Sequence, residues 1–233
     1  MKSLLILPAY NEEGKIGKVS QQARDFVTEV LVVDDCSNDQ TRGEASQSGA
    51  TVIVHRRNQG VGAAIKTGMK YALYKGFEII LIMAGDAQDD PLEIPKFIEK
   101  IKEGYDFIQG SRYIKEDSSS YPKFRLITTK MYTKFISFYS KKLITDASNG
   151  YRAMSSRFAS TLDLDNNGMD RYEFETYLVL QALRYAKYAE VPVKKIYHSK
   201  IGYSKMKPII SWFQMFKPIF FDFFVNKMGR KAW

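Results

Sequence analysis

Glu29-Val30-Leu31-Val32-Val33-Asp34-Asp35 is a short apolar run that stops on two adjacent carboxylates. A continuous rather than alternating run of this length reads as a strand covered on both faces, the habit of parallel sheets. Ser3 to Leu7, ending at Pro8, reads the same way. Between the two, Glu13 to Phe26 is polar-rich, with Ile16, Val19 and Ala23 recurring on one helical face. The unit is therefore strand, helix, strand.

The alternation continues outward. A helix around Gln40 to Ser48 precedes a strand at Thr51 to His55, and a helix at Val61 to Tyr74 precedes a strand at Glu78 to Met83. A helix at Pro91 to Ile101 and a strand at Asp106 to Gly110 follow. Such a series predicts an α/β fold, a mostly parallel sheet with helices on both faces. Past Tyr113 the periodicity weakens. The spacing there predicts a Ser-rich loop at Ser118 to Ser120, a helix over Lys123 to Lys141, a polar turn at Asp146 to Gly150 and a helix over Tyr172 to Ala186. A short strand at Ala189 to Val193 carries Pro192, which suits the edge of a sheet. There is no internal repeat and no low-complexity linker.

The chain has 233 residues, enough for one sizeable domain, with a formal net charge of +9 and a pI near 9.4. That charge implies an anionic partner: nucleic acid, a phospholipid surface or a phosphorylated substrate. Nucleic acid fits least, because the aromatics gather near the C-terminus rather than among the basic residues, and the acidic strand ends repel phosphate unless a metal intervenes. The single Cys36 excludes an internal disulfide framework, and the apolar run after Met1-Lys2 is too short for a signal peptide, so a cytoplasmic location is expected.

Residues 206–233 differ from the rest. Trp212, Phe213, Phe216, Phe220, Phe221, Phe223 and Phe224 are interrupted by Lys217, Pro218 and Asp222, too often for a membrane-spanning helix. With Lys227, Arg230 and Lys231 following, the stretch suits an amphipathic helical segment in a membrane interface, appended to a catalytic domain of residues 1–205. The other reading is a helix packed on the domain or on another subunit.

In open α/β sheets ligands bind beyond the carboxyl ends of the strands. Here those ends carry Pro8-Ala9-Tyr10-Asn11-Glu12, Asp34-Asp35, and Ala84-Gly85-Asp86-Ala87-Gln88-Asp89-Asp90. Asp34 and Asp35 can hydrogen-bond a base or ribose, although Asp equally favours caps and turns. Asp86 and Gln88 supply hard oxygens that suit Mg²⁺ or Mn²⁺ on a diphosphate, while Asp90, just before Pro91, reads as a helix cap. Gly60-Val61-Gly62 opens a helix but does not follow the first strand, so a dinucleotide-binding glycine loop is rejected. His55 reads as a strand end and His198 as a loop residue.

In order along the chain, these pieces resemble the inverting family 2 glycosyltransferases of GT-A fold, and within them the dolichyl- or polyprenyl-phosphate sugar synthases. The resemblance runs from Leu4 to about Lys205. It rests on Leu7-Pro8-Ala9-Tyr10-Asn11-Glu12, Val32-Val33-Asp34-Asp35-Cys36-Ser37, Gly60 to Gly68, Gly110-Ser111-Arg112-Tyr113, Tyr121-Pro122-Lys123-Phe124-Arg125, Asp146 to Arg152, and Gly202-Tyr203-Ser204-Lys205. It implies a nucleotide sugar held by Pro8, Ala9, Tyr10, Glu12, Asp34, Asp35, Gly62, Lys66, Gly85 and Asp86, with a metal on Asp86 and Gln88. It implies an acceptor phosphate on Arg112, Arg125, Thr129, Ser148 and Lys200, and catalysis by Asp86, Arg112, Arg125 and Lys205. The chain departs from the family where the first Asp of Asp-x-Asp falls on Ala84, where Asn149 replaces a usual Ser, where Tyr177 replaces an acidic residue and leaves Glu173 and Glu175 as nearby candidates, and where Ser199 replaces an Arg.

The reaction so implied is in-line displacement at the anomeric carbon with a nucleoside diphosphate leaving. A polyprenyl phosphate acceptor is already ionised and needs no general base. A sugar hydroxyl acceptor would need one, with Asp146, Asp170 or Glu173 as candidates. A nucleotide-sugar-binding subunit without turnover is the alternative of another class, motivated by Ala84 and Ser199.

Overall fold

The computed structural model describes residues 1–114, 123–165, 168–196 and 214–220, with backbone only at 123–125. The sheet has seven strands: β1 (Ser3–Ala9), β2 (Glu29–Asp34), β3 (Thr51–Val54), β4 (Ile79–Ile82), β5 (Phe107–Ser111), β6 (Arg152–Ser155) and β7 (Tyr188–Pro192). Their order is β3-β2-β1-β4-β6-β5-β7. All neighbours are parallel except at β6, which pairs antiparallel with both β4 and β5. The expected mostly parallel sheet is present, and β7 with its Pro192 forms one edge. β6 was not expected: Arg152-Ala153-Met154-Ser155 has neither an apolar run nor clear alternation, and its place between two strands comes from pairing partners far away in sequence.

Alternate residues of the strands feed two cores. Leu4, Ile6, Leu31, Val33, Ile80 and Ile82 pack with α3 (Val61–Tyr74), α6 (Ser156–Ala159) and α7 (Glu173–Tyr185). Leu5, Leu7, Val30, Val32, Ile79 and Leu81 pack with α1 (Ile16–Ala23), α2 (Thr41–Gln47) and α4 (Ile94–Lys102). Each such side chain, taken fully out of water, contributes roughly 1.5–3 kcal/mol, and this explains why the central strands are apolar without interruption. Asp90 caps the 3-10 turn Pro91–Glu93 that leads into α4, accepting from the Leu92 amide at 3.0 Å, as its position before Pro91 implied.

A third cluster joins α5 (Lys123–Ser140) to the outer side of α7. The helical residues 214–220 belong to it: Met215 and Ile219 are buried there, and the Phe216 ring meets the Tyr132 ring edge-on at 5.8 Å. This part of the segment expected at a membrane interface therefore turns one face onto the domain. The rest of 206–233 lies outside the described residues, as do Lys200, Lys205 and the Gly202 to Lys205 motif.

Candidate active site

The ends of β1, β2 and β4 open into one cleft of about 640 Å³. Pro8, Ala9, Tyr10 and Glu12 line it from the end of β1, Asp35 from β2, and Gly85, Asp86 and Gln88 from the loop after β4. Arg112 and Ser148 reach it from the other half of the chain. Ten of the expected site residues thus converge although they are spread from Pro8 to Ser148. Gly85 lets the loop lie close, since a Cβ there would come within 2.9 Å of Ile16 Cδ1.

The two carboxylates ending β2 divide their work. Asp34 is buried and does not line the cleft; its Oδ1 accepts from the Ser37 amide at 3.0 Å and from the Ser37 hydroxyl, the turn-forming role open to it from the sequence. Asp35 lines the cleft and organises the loop before α3. Its Oδ1 accepts from the Gln59 amide at 2.8 Å and lies 2.8 Å from His55 Nδ1, and its Oδ2 accepts from the Gly60 amide at 2.7 Å. A carboxylate offers about four lone-pair directions, so one remains for a ligand donor. His55 Nε2 is 2.9 Å from Thr67 Oγ1, so this buried imidazole bridges β3 to α3 rather than merely ending a strand.

The glycines at the start of α3 act by close approach. Gly60 has φ +105, and a Cβ on Gly62 would stand 2.6 Å from the Arg171 carbonyl oxygen and 2.8 Å from Phe174 Cβ. The Ala63 amide donates to the Asp170 carbonyl at 2.9 Å. Gly62 therefore seats α3 against the start of α7 instead of lining the cleft. Lys66, also expected on the nucleotide, is buried with its Nζ 2.5 Å from Asp170 Oδ1.

Asp86 Oδ1 accepts from the Gln88 amide at 3.0 Å, holding a loop in which Ala87 has φ +60. Behind it, buried Asp89 meets Lys195 Nζ at 2.8 Å, while the Ile196 amide donates to the Gln88 carbonyl at 2.8 Å. The segment after β7 thus pins the loop from behind. Among the described residues no three Asp, Glu, His or Cys side chains form a metal cluster. With Ala84 at the first Asp position, the donor set is one carboxylate and one amide oxygen. That set fits a Mg²⁺ or Mn²⁺ ion that completes its shell with phosphate oxygens and water, not one caged by protein alone.

Arg112 forks onto Asp146, Nε to Oδ2 at 2.6 Å and Nη2 to Oδ1 at 2.8 Å, and Nη2 also donates to Ser148 Oγ at 2.6 Å. Burial pushes the Asp146 carboxyl up, but the Arg112 charge and hydrogen bonds outweigh it and hold it below the ordinary range. Thr129 faces Tyr113 instead of the cleft, its hydroxyl 2.7 Å from the phenol oxygen. The Arg125 side chain lies outside the described residues.

None of the three carboxylates considered as bases lines the cleft. Asp146 is sealed against Arg112, Asp170 is paired with Lys66, and Glu173 is buried with no hydrogen bond to Oε2. Glu175 does line it, with Oε2 3.4 Å from Arg152 Nη2, too poorly placed for a hydrogen bond. Tyr177, standing where the family carries an acid, is in the core under the sheet; burial pushes its phenol up to about 12, and its oxygen accepts from the Asp163 amide at 3.2 Å. Asn58, Gly60, Arg171, Tyr172, Lys195 and Gln214 also line the cleft. No sequence signal singled out Arg171, Lys195 or Gln214, which lie far along the chain from the strand ends they face.

Known proteins resemble this chain in sequence and in fold. The model of the family described as glycosyl transferase family 2 matches residues 4–162. An uncharacterised protein of Methanocaldococcus jannaschii is 31% identical over 215 residues, 91% of this chain and 88% of its own length. The undecaprenyl-phosphate mannosyltransferase of Micrococcus luteus is 29% identical, covering 88% of each chain. The polyprenol monophosphomannose synthase of Mycolicibacterium smegmatis is 27% identical, over 88% of this chain and 81% of its own. Among solved structures, glucosyl-3-phosphoglycerate synthase of Mycobacterium tuberculosis, in complex with Mn²⁺ and UDP-glucose, superposes with a TM-score of 0.70. It is 17% identical and covers 99% of this chain and 80% of that one, a likeness of fold alone. The strand-end cleft and the family match lead to one conclusion: the chain belongs to glycosyl transferase family 2, as a glycosyltransferase of GT-A fold similar to polyprenyl-phosphate sugar synthases.

Proposed function

We propose that the enzyme moves a sugar from a UDP- or GDP-linked donor to a polyprenyl or dolichyl phosphate at the cytoplasmic face of a membrane. The observation that carries this reading is a single cleft in which Asp35, Asp86 and Gln88 stand with Arg112 and Ser148. Asp35 keeps one lone-pair direction for the base or ribose, and Pro8, Ala9 and Tyr10 wall that end. Asp86 and Gln88 would hold Mg²⁺ or Mn²⁺, and the ion would supply charge neutralisation for the leaving group. Relatives named as undecaprenyl-phosphate and polyprenol mannosyl enzymes support the acceptor class.

Because Arg112 is neutralised by Asp146, it offers directed N–H groups rather than net charge to an acceptor phosphate. Positive charge in the cleft falls to Arg171, which lines it, and, by family resemblance, to Arg125, Lys200 and Lys205. An ionised phosphate attacks without surrendering a proton, which suits a site where Asp146 and Asp170 are held by Arg112 and Lys66 and do not reach the cleft. The position of Glu175 favours a second reading, transfer to a sugar hydroxyl with Glu175 as base.

The test is a panel of UDP- and GDP-sugars with Mn²⁺ or Mg²⁺, a short polyprenyl phosphate acceptor, and an Asp86→Ala control. Turnover that Asp86→Ala abolishes and Glu175→Gln largely spares is expected. Donor binding with no turnover on any acceptor supports the non-catalytic subunit instead, and a Glu175→Gln variant dead only on hydroxyl acceptors moves the assignment to the second reading.

A further inference from the structure

We propose that the outer face of α5 is a docking surface for an anionic lipid bilayer, independent of the reaction in the cleft. The inner face of α5 is committed: Tyr132 and Ile136 are buried, and the Tyr132 hydroxyl lies 2.7 Å from Thr176 Oγ1 on α7. The outer face is apolar where a soluble helix is usually charged. Ile127, Met131, Phe135 and Phe138 recur at helical spacing and are exposed, Met131 at 65% and Phe138 at 85%, and Leu143 just beyond the helix is 98% exposed. The Phe135 ring lies 5.3 Å from that of Phe216, and Phe220, one turn further, is again exposed, so the patch continues onto residues 214–220.

The charge beside this patch identifies the occupant. From Lys123 to Thr145 the chain has six Lys and Arg and no Asp or Glu. Lys130 and Lys134 flank the apolar row, and at the C-terminal end Lys134, Lys141 and Lys142 wall a groove of about 410 Å³ together with Phe138 and Leu143. Cationic heads beside bare aromatic and aliphatic side chains match a lipid interface, where the apolar groups enter the acyl boundary and the lysines meet phosphates. A second copy matches poorly, because a two-fold contact would set this lysine row against itself. No described helix is long and apolar enough to cross a membrane, so α5 would lie along the surface.

The test uses the full chain without donor or acceptor, cosedimented with vesicles of neutral phosphatidylcholine or of phosphatidylcholine with phosphatidylglycerol. Binding to the anionic vesicles that weakens with salt is expected, and Met131→Ser with Phe138→Ser should weaken it at least tenfold, since each removed anchor is worth roughly a factor of ten. Lys134→Glu with Lys141→Glu should remove the preference for anionic vesicles, whereas Tyr74→Ser, an exposed aromatic on α3, should change nothing. Thermal melts unchanged in these surface variants certify folding. Equal binding by wild type and both double variants overturns the proposal, as does a concentration-dependent dimer abolished by Phe138→Ser in a chain that ignores vesicles. Since no sugar transfer is measured, failure here leaves the proposed reaction untouched.

Discussion

The guanidinium of Arg112 is locked in a two-pronged contact with the carboxylate of Asp146, 34 residues away, at 2.6 and 2.8 Å, and both side chains are buried. Removing one partner strands the other charge, a cost of about 3–5 kcal/mol. Asp146→Asn should therefore lower stability by about that much at neutral pH. The folded carboxyl lies below its ordinary value of 3.8, so the stabilisation is complete above that value and is lost as the pH falls through the lower folded pKa. Urea titrations at pH 7 and below pH 4 should show the gap between wild type and Asp146→Asn narrowing in acid; a constant gap would contradict the pairing.

Asp35 predicts a local readout. Asp35→Asn places an amide donor against at least one existing donor, the Gln59 or Gly60 amide or His55 Nδ1, at about 1–3 kcal/mol. Hydrogen exchange at the Gln59 and Gly60 amides should accelerate, and nucleotide affinity should fall in parallel.

Gly62 has no room for a methyl group, with backbone atoms of Asp170 and Arg171, just before α7, and Phe174 Cβ on α7 within 2.8 Å of where it would stand. Gly62→Ala should destabilise by about 1–3 kcal/mol. Calorimetry checks this against Gly17→Ala in α1, whose nearest contact would be an ordinary 3.4 Å and whose effect should be small.

Ala84 offers a gain-of-function test. Ala84→Asp, supplying the carboxylate expected from the family pattern, should tighten Mn²⁺ binding in the presence of UDP or GDP by roughly tenfold if the new ligand reaches the ion. Mn²⁺ titration followed by electron paramagnetic resonance measures it, and Asp86→Ala should weaken the same binding.

Much of the fold was legible because its signals are local. Continuous apolar runs marked β1, β2 and β4, helical spacing marked α1 and α3, and Asp90 before Pro91 marked a cap. Of the candidate site, Asp35, Asp86 and Gln88 were legible because strand ends are where such sheets bind ligands. Residue type does not separate Asp34 from Asp35, and no local signal shows that Lys66 pairs with Asp170 or that Gly62 meets Arg171 and Phe174.

By itself the sequence determined that successive strands are buried on both faces and where their carboxylates fall, since burial pattern follows from side-chain chemistry along a few residues. Only the tertiary structure decided that β6 inserts antiparallel between β4 and β5, that Arg112 spends its charge on Asp146, and that Asp35 holds the loop before α3 through Gln59, Gly60 and His55. The physical reason is the same in each case. A hydrogen bond or ion pair between residues twenty or more apart depends on which strands and helices become neighbours, and that is set by packing of the whole sheet rather than by any one stretch of chain.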